Sequence, residues 1–242
     1  MCATPRSGST LLCEALTATG VAGRPREEFE QLSHSGLRRK PREYFSGLAD
    51  PGIGGLLPEE PAELGEPLPD GAYADHVRAA IERGTTPNGV FATKLMWGYL
   101  RDFLERAGSD LEAVFDVPRY VLVKRRDKLR QAISLWRALQ TQSWRRDAGR
   151  DDDHAEPVFS AVAIAHLREQ LAEDERSWEA FLDAPLTLVY EDFAVELEGA
   201  VRAVLTHAGV DAPAELEVAV PMRRQSDGLT DEWADRFARE AA

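Results

Sequence analysis

The sequence predicts an α/β fold in which helices cover a parallel β-sheet, because short apolar segments alternate with longer segments of helical periodicity. Runs rich in β-branched and other apolar residues predict strands over 89–94, 119–124 and 185–190. A stretch with apolar residues at helical spacing follows each run. The chain has 242 residues, enough to bury one substantial core, so we expect a single domain over 1–242.

The beginning of the chain predicts a strand, a loop and a helix. Residues 1–4 precede Pro5, whereas an ordinary strand has about five residues. Either the first strand is short or the natural start lies upstream. An apolar stripe over 11–16 predicts the first helix, which Gly20 can end.

The remaining elements follow from composition and apolar spacing. Residues 50–71 are rich in proline and glycine and predict an irregular excursion, which in a compact domain is more often a lid or a binding loop than a passive connection. Further helices are expected over 129–139, 161–181 and 231–242.

Composition excludes several classes of function. The net charge of −13 repels polyanions, so we expect no nucleic-acid partner, and any anionic ligand needs a local cluster of cations. No apolar span approaches the roughly 18 residues of a membrane helix, and no secretory leader is visible, so we expect a cytoplasmic protein without a membrane span.

Metal and disulfide chemistry are not indicated. The two cysteines, Cys2 and Cys13, lack metal-ligand spacing and predict small buried residues instead of a zinc site or a disulfide framework. The five histidines show no ligand spacing either, and the acidic run at 151–154 is typical of a surface loop. We therefore assign no metal.

The segment TPRSGST at 4–10 predicts an anion-binding loop at the start of the first helix. Helix N-termini offer backbone N–H groups and a partial positive charge. Gly8 lets the backbone approach a ligand, and Arg6 adds a planar cation suited to phosphate or sulfate. Hydroxyl donors come from Ser7, Ser9 and Thr10. The lysine of a Walker A loop is absent, and an ordinary helix N-cap is the alternative interpretation.

The run TPRSGSTLL at 4–12 resembles the 5′-phosphosulfate loop of sulfotransferases that use 3′-phosphoadenosine-5′-phosphosulfate (PAPS). The longer run TPRSGSTLLCEALTATGVAGRPREEF is similar to the bacterial family typified by trehalose 2-sulfotransferase. Further similar segments follow in the family's order: TPNGVFATKLMW at 86–97, KRRDKLRQAISLWRALQTQSW at 124–144, YEDF at 190–193 and RRQSDGLTDEWADRF at 223–237. The resemblance covers most of the chain and implies a P-loop-like three-layer α/β/α sulfotransferase fold and a homodimer.

The resemblance also implies a set of cofactor-binding residues. The opening loop would hold the 5′-phosphosulfate, while Arg126 and Ser134 would hold the 3′-phosphate; Ser134 lies about two helical turns beyond Arg126. One of two further arginines near the C-terminus would contact the nucleotide. The full set is Arg6, Ser7, Gly8, Ser9, Thr10, Arg126, Ser134, Arg223 and Arg224. Solvated surface charges are the alternative interpretation for the basic residues.

The catalytic residues follow from the same resemblance. Glu27 matches the general base of the trehalose-type enzymes, although Glu28 and Glu30 compete with it in sequence and the whole triplet could be a solvated turn. Lys94 is the candidate to touch the transferring group, and Arg6 supplies further positive charge. Many sulfotransferases place a histidine two residues after the lysine, where this chain has Met96; a glutamate base fits that departure.

The implied reaction is direct transfer of a sulfuryl group from PAPS to a hydroxyl of a small molecule, with 3′-phosphoadenosine-5′-phosphate (PAP) as product and no metal. The acceptor would be a carbohydrate such as trehalose or a glycosylated metabolite. Candidate acceptor-lining residues are Phe29, Met96, Trp97 and Trp136, for which core packing is the alternative. A small-molecule kinase and a catalytically silent nucleotide-binding module are the rival functions.

Overall fold

The computed structural model describes residues 1–29, 41–59, 70–108, 110–144, 156–216 and 228–240. These residues form two compact units. The first unit contains residues 1–29, 70–108, 110–126 and 174–216, and the second contains residues 41–59, 127–144, 156–173 and 228–240. The single domain expected over 1–242 stays a prediction.

The first unit is built on a parallel sheet with the strand order β2-β1-β3-β4. The strands are β1 (Cys2–Ala3), β2 (Leu95–Met96), β3 (Val121–Lys124) and β4 (Leu186–Val189). Cys2 on β1 lies opposite Leu95 on one side and Leu122 on the other, and every strand pair is parallel. The predicted α/β class with a parallel sheet is confirmed.

Ten α-helices lie in the described residues. They are α1 (Ser9–Ala18), α2 (Pro51–Gly55), α3 (Asp70–Gly84), α4 (Trp97–Ala107), α5 (Leu111–Phe115), α6 (Lys128–Thr141), α7 (Ala161–Phe181), α8 (Tyr190–Phe193), α9 (Leu197–His207) and α10 (Gly228–Glu240), with a 3₁₀ helix at Pro41–Phe45. The helices predicted at the opening loop, over 129–139, over 161–181 and near the C-terminus are confirmed. Part of the predicted excursion over 50–71 forms α2, and residues 60–69 lie outside the described residues.

Helices cover both faces of the sheet, as the alternation of side chains along β3 shows. Val121 and Val123 are buried in one apolar cluster with residues of α1 and α9. Leu122, between them, is buried in a second cluster with residues of α4 and with Trp178. Successive residues of a strand point to opposite faces, so the strand is covered on both sides. This is the three-layer α/β/α arrangement.

One predicted strand is wrong. The run 89–94 was expected to enter the sheet, but the sheet strand begins at Leu95. The backbone of 89–94 pairs with residues outside the sheet. Phe91 forms an isolated β-bridge with Thr85, and the Lys94 amide donates to the Arg26 carbonyl at 2.9 Å. Lys94 therefore lies directly before a strand instead of at its end.

The second unit packs around Trp136, which is fully buried on α6. The Phe45 ring meets the Trp136 ring edge-on at 5.6 Å between centroids, and the indole Nε1 donates to the Val158 carbonyl at 2.8 Å. Asp127 caps α6, accepting from the Arg130 amide at 2.9 Å. Within the described ranges, no helix has the length and hydropathy needed to cross a membrane.

Candidate active site

The loop between β1 and α1 carries the predicted anion site. Its backbone is left-handed at Arg6 (φ 63°) and at Gly8 (φ 86°), and the Ser7 amide donates to the Thr4 carbonyl at 3.3 Å. Gly8 is the N-cap of α1, and no side chain of the described residues caps that end. Since the first turn of a helix leaves amides without intrahelical acceptors and carries partial positive charge, the loop is suited to an anionic ligand.

The Ser7 side chain also fits an oxygen-rich ligand. Its hydroxyl is buried and has no hydrogen-bond partner among the described residues. Buried hydroxyls nearly always form a hydrogen bond, because leaving one unmade costs free energy. A phosphosulfate offers several acceptor oxygens, so the loop suits the donor that the family resemblance implies.

Glycine at position 8 is required by a close contact as well as by its backbone conformation. A Cβ atom added to Gly8 would lie 2.2 Å from Cδ2 of Tyr190, far inside van der Waals contact. The loop backbone therefore packs directly against the first residue of the YEDF segment at 190–193.

Glu27 lies on a segment whose backbone is bonded to the residues just before β2. The Arg26 carbonyl accepts from the Lys94 amide at 2.9 Å and from the Thr93 hydroxyl at 3.1 Å. These two bonds form at the residue that precedes Glu27, and they hold Glu27 beside Lys94.

The beginning of the same segment is fixed in a similar way. The Gly23 amide donates to Thr86 Oγ1 at 3.1 Å, and the Arg24 amide donates to the Gly84 carbonyl at 2.8 Å. Gly23 has φ 73°, and a Cβ atom there would lie 2.6 Å from the backbone nitrogen of Ala92. The segment leading to Glu27 is thus seated closely against the chain before β2.

Three of the predicted site residues meet at the Lys94 ammonium. Lys94 Nζ lies 2.6 Å from Glu27 Oε1 and donates to Thr10 Oγ1 at 3.2 Å. The Lys94 side chain is 5% exposed and that of Glu27 is 20% exposed. A nearly buried cation therefore connects the predicted anion loop to the predicted general base.

A second cluster forms where β3 and β4 end, because the carboxyl ends of neighbouring parallel strands lie at the same edge of a sheet. The Arg126 amide donates to Glu191 Oε2 at 2.9 Å. The Arg126 guanidinium donates to both carboxylate oxygens of Asp192, at 3.0 and 2.8 Å. The hydrogen bond with Asp192 raises the pKa of Arg126 above its ordinary value.

The two residues before Arg126 have other partners. Lys124 Nζ forms ion pairs with Glu179 and, at 3.5 Å, with Glu175, and the hydrogen bond with Glu179 raises the Lys124 pKa. Arg125 Nη1 donates to the Arg6 carbonyl at 3.0 Å. The sequence placed Arg125 beside Arg126 at the end of a predicted strand but assigned it no individual role, and it assigned none to the residues of YEDF. The position of YEDF directly after a strand is the signal that could have placed it at this edge.

The predicted acceptor-lining residues of the first unit lie largely in its core. Phe29 is buried, with its ring 4.7 Å from that of Phe103, and Met96 is buried on β2. Trp97 is half-buried, and its ring meets the Trp178 ring edge-on at 5.1 Å. These contacts are those of core packing, and an acceptor-lining role for the three residues stays a prediction.

The remaining predicted site residues belong to the second unit or lie outside the described residues. Ser134 is half-buried on α6 and Trp136 is buried in the second unit. Arg223 and Arg224 lie outside the described residues, as does Glu30, the competitor of Glu27. Their roles stay predictions.

The two cysteines are buried free thiols, as expected. Burial raises the pKa of Cys2 and of Cys13 above the ordinary thiol value. Because the thiolate is the nucleophilic form, neither residue is suited to covalent catalysis.

Comparison with known proteins identifies the family of this chain. Residues 1–240 match the family model described as Stf0 sulphotransferase. The trehalose 2-sulfotransferase of Mycobacterium tuberculosis (strain Erdman) is 39% identical over an alignment that covers 99% of this chain and 93% of that protein. The trehalose 2-sulfotransferase of Mycolicibacterium smegmatis is 37% identical with the same coverage. The chain, with its TPRSGST loop and its Lys94–Glu27 pair, therefore belongs to the Stf0 sulfotransferase family.

Proposed function

We propose that this sulfotransferase moves the sulfuryl group of PAPS to a hydroxyl group of a small-molecule acceptor, a carbohydrate such as trehalose or a glycosylated metabolite. The observation that carries the proposal is the Lys94 ammonium, which contacts both Thr10 of the anion loop and the Glu27 carboxylate. The name of both relatives, trehalose 2-sulfotransferase, supports the choice of acceptor class.

The anion loop would hold the 5′ end of the donor. The backbone from Arg6 to Thr10 provides helix N-terminal amides, and the buried Ser7 hydroxyl needs an acceptor. The Arg126 side chain is 63% exposed and is the proposed partner of the 3′-phosphate, with Ser134 and one of Arg223 and Arg224 as further ligands predicted from the sequence. When bound, PAPS supplies an activated sulfuryl group whose leaving group is PAP.

Glu27 and Lys94 would perform the chemistry. Glu27 accepts the proton of the acceptor hydroxyl while that oxygen bonds to sulfur, and it later returns the proton to solvent. Lys94 neutralises the charge that develops on the bridging oxygen as the bond between sulfur and that oxygen breaks. Arg6 adds positive charge at the same loop. The products are a sulfate ester and PAP.

The structure supports Glu27 over its neighbour Glu28 as the general base. The Glu28 carboxylate accepts from Arg83 Nη2 at 2.8 Å and is only 12% exposed. Glu27 is bonded instead to the lysine that contacts the anion loop. Met96 has no acid–base group, so a carboxylate base also accounts for the missing histidine.

Titration calorimetry with PAP, ATP and 5′-AMP tests the donor assignment. We expect PAP to bind at least about tenfold more tightly than 5′-AMP, since the 3′-phosphate adds charge-assisted hydrogen bonds worth about 1.5–3 kcal/mol each. The affinity for PAP should not change when magnesium is removed. A preference for ATP that depends on magnesium would contradict the proposal and favour a small-molecule kinase.

The acceptor is tested separately. Mass spectrometry of trehalose incubated with PAPS and the protein should detect a singly sulfated disaccharide. If PAPS is bound but trehalose stays unmodified while a glycosylated metabolite is sulfated, trehalose is the wrong acceptor and the sulfotransferase proposal stands. The homodimer implied by the resemblance is also a proposal, and sedimentation velocity measures it.

A further inference from the structure

The sequence places three consecutive cations at the end of β3, and the structure gives each of them a different environment. Lys124 forms ion pairs with Glu179 and Glu175. Arg126 is 63% exposed and is bonded to Asp192. Arg125, between them, is only 15% exposed. The run therefore does not form one uniform basic patch.

Arg125 is directed at the anion loop. Its Nη1 donates to the Arg6 carbonyl at 3.0 Å, and its Cζ lies 5.0 Å from the ring centroid of Tyr190. The Tyr190 ring in turn contacts Gly8, where even a Cβ atom would not fit. The Arg125 guanidinium thus contacts the anion loop in two ways. It donates directly to the Arg6 carbonyl, and it packs on the Tyr190 ring, which contacts the loop at Gly8.

The residue that accepts this hydrogen bond needs stabilisation. Arg6 has φ 63°, a left-handed conformation that L-residues other than glycine adopt at a cost in free energy. A hydrogen bond from a charged donor to the Arg6 carbonyl fixes the orientation of that peptide group. The Tyr190 ring limits movement of the loop two residues later.

We propose that Arg125 is a positioning residue that holds the anion loop in its ligand-binding conformation, whereas Arg126 is the arginine that meets the ligand. This inference rests on the proposed function in that the ligand of the loop is taken to be the 5′ end of the donor. Arg125 acts through Arg6 and Tyr190, and therefore contributes to the affinity for any ligand that the loop binds, with or without a 3′-phosphate.

Two matched variants, Arg125→Met and Arg126→Met, separate these roles, since each removes one positive charge from adjacent positions. Their affinities for PAP and for 5′-AMP are measured by titration calorimetry well below the melting temperature. We expect Arg125→Met to lower the affinities for PAP and for 5′-AMP by the same factor, about tenfold. That factor corresponds to the loss of one charge-assisted hydrogen bond. Arg126→Met should lower the affinity for PAP and leave the affinity for 5′-AMP unchanged.

Unchanged affinity of Arg125→Met for 5′-AMP would overturn the positioning role, and so would a loss confined to PAP, which would make Arg125 a ligand of the 3′-phosphate. Failure of the proposed function has a different signature, because wild-type protein would then bind PAP and 5′-AMP equally. The Arg125 result is read from 5′-AMP and does not depend on that difference.

A second variant guards against loss of folding and against a purely electrostatic effect. Arg125→Lys keeps the charge and one donor for the Arg6 carbonyl but loses the planar guanidinium on Tyr190. We expect Arg125→Lys to lower the affinity for 5′-AMP about threefold, which is in the range measured for an exposed cation–π contact. Wild-type affinity of Arg125→Lys for 5′-AMP would show that charge alone matters and would overturn positioning by the guanidinium.

Discussion

The Lys94–Glu27 and Arg126–Asp192 pairs each join a predicted site cation to a carboxylate from another segment, but the two pairs differ in burial. Lys94 was predicted to touch the transferring group, and Arg126 was predicted to bind the 3′-phosphate. Lys94 is 5% exposed and Glu27 is 20% exposed. Arg126 is 63% exposed and Asp192 is 65% exposed. The first pair is seated by hydrogen bonds to the Arg26 carbonyl, whereas solvent reaches most of the second pair.

This difference suits the two pairs to different tasks. Charges in a partly buried site interact strongly and reorganise little, which is what stabilises charge in a transition state. An exposed pair contributes little free energy, typically about 0–1 kcal/mol, and exchanges partners readily. The buried pair is therefore expected to govern turnover, and the exposed pair to tune the affinity for the donor.

Replacing Glu27 should have the largest effect on turnover. Glu27→Gln removes the proton acceptor, so kcat should fall by about 10²–10⁴, while the affinity for PAP changes little. Glu28→Gln is the matched control, because Glu28 is the adjacent carboxylate and is bonded to Arg83. Steady-state assays of both variants give the comparison, and equal losses would remove the distinction between the two carboxylates.

Displacing the segment that carries Glu27 should have the next largest effect. In Gly23→Ala, the new Cβ would collide with the backbone nitrogen of Ala92, 2.6 Å away. A shift of the base of about 1 Å lowers kcat by about 10- to 100-fold, with PAP affinity retained. Gly20→Ala is the control, because Gly20 has φ 71° and nothing lies within 4 Å of its added Cβ. Wild-type kcat in Gly23→Ala would contradict the positioning of Glu27 by the backbone of this segment.

Distorting the anion loop should weaken binding of the donor instead of lowering kcat. Gly8→Ala drives a Cβ into the Tyr190 ring, and we expect PAP affinity to fall about tenfold or more because the loop must move. Gly89→Ala shares the left-handed backbone (φ 84°) without a contact within 4 Å; it should cost about 1–2 kcal/mol of stability and leave PAP affinity unchanged. Calorimetry and thermal unfolding of the two variants check both statements.

Breaking the exposed Arg126–Asp192 pair should have the smallest effect. Whether the affinity for PAP rises or falls shows what Asp192 does. Asp192→Asn removes a negative charge next to Arg126 and a competitor for its guanidinium, so PAP should bind about two- to fivefold more tightly, consistent with the weak energy of an exposed pair. The gain should shrink at high salt. Weaker binding of PAP would mean that Asp192 orients Arg126 for the ligand instead of competing with it.

Much of the fold could be predicted from local patterns. The runs at 119–124 and 185–190 became β3 and β4, and the helical spacing over 161–181 matches α7. The run at 89–94 has a composition typical of a strand, yet its backbone groups form hydrogen bonds with Gly84, Thr86 and Arg26 instead of entering the sheet. Composition favours an extended chain but does not choose its partner, so the register of β2 could not be predicted.

Some residues of the candidate site could likewise be predicted from the sequence, and others could not. Glu27, Lys94 and Thr10 were predicted separately, from the resemblance and from loop chemistry, and the structure brings the three together. The contacts of Arg125 and Tyr190 were not predicted, because they depend on the order of strands in the sheet and on a close approach at Gly8. The position of these residues after a strand predicts the edge of the sheet at which they lie, but tertiary packing fixes the individual contacts.

A double-mutant cycle on kcat/KM with Glu27→Gln, Lys94→Met and the combined variant tests most directly the claim that these two residues act as one catalytic pair. Thermal unfolding of all three proteins first shows that they are folded. If the pair acts as a unit, the combined variant should be only about threefold worse than the weaker single variant, because groups that work together are strongly non-additive. If the two losses multiply instead, Lys94 and Glu27 act independently, and the account of a buried catalytic pair is contradicted.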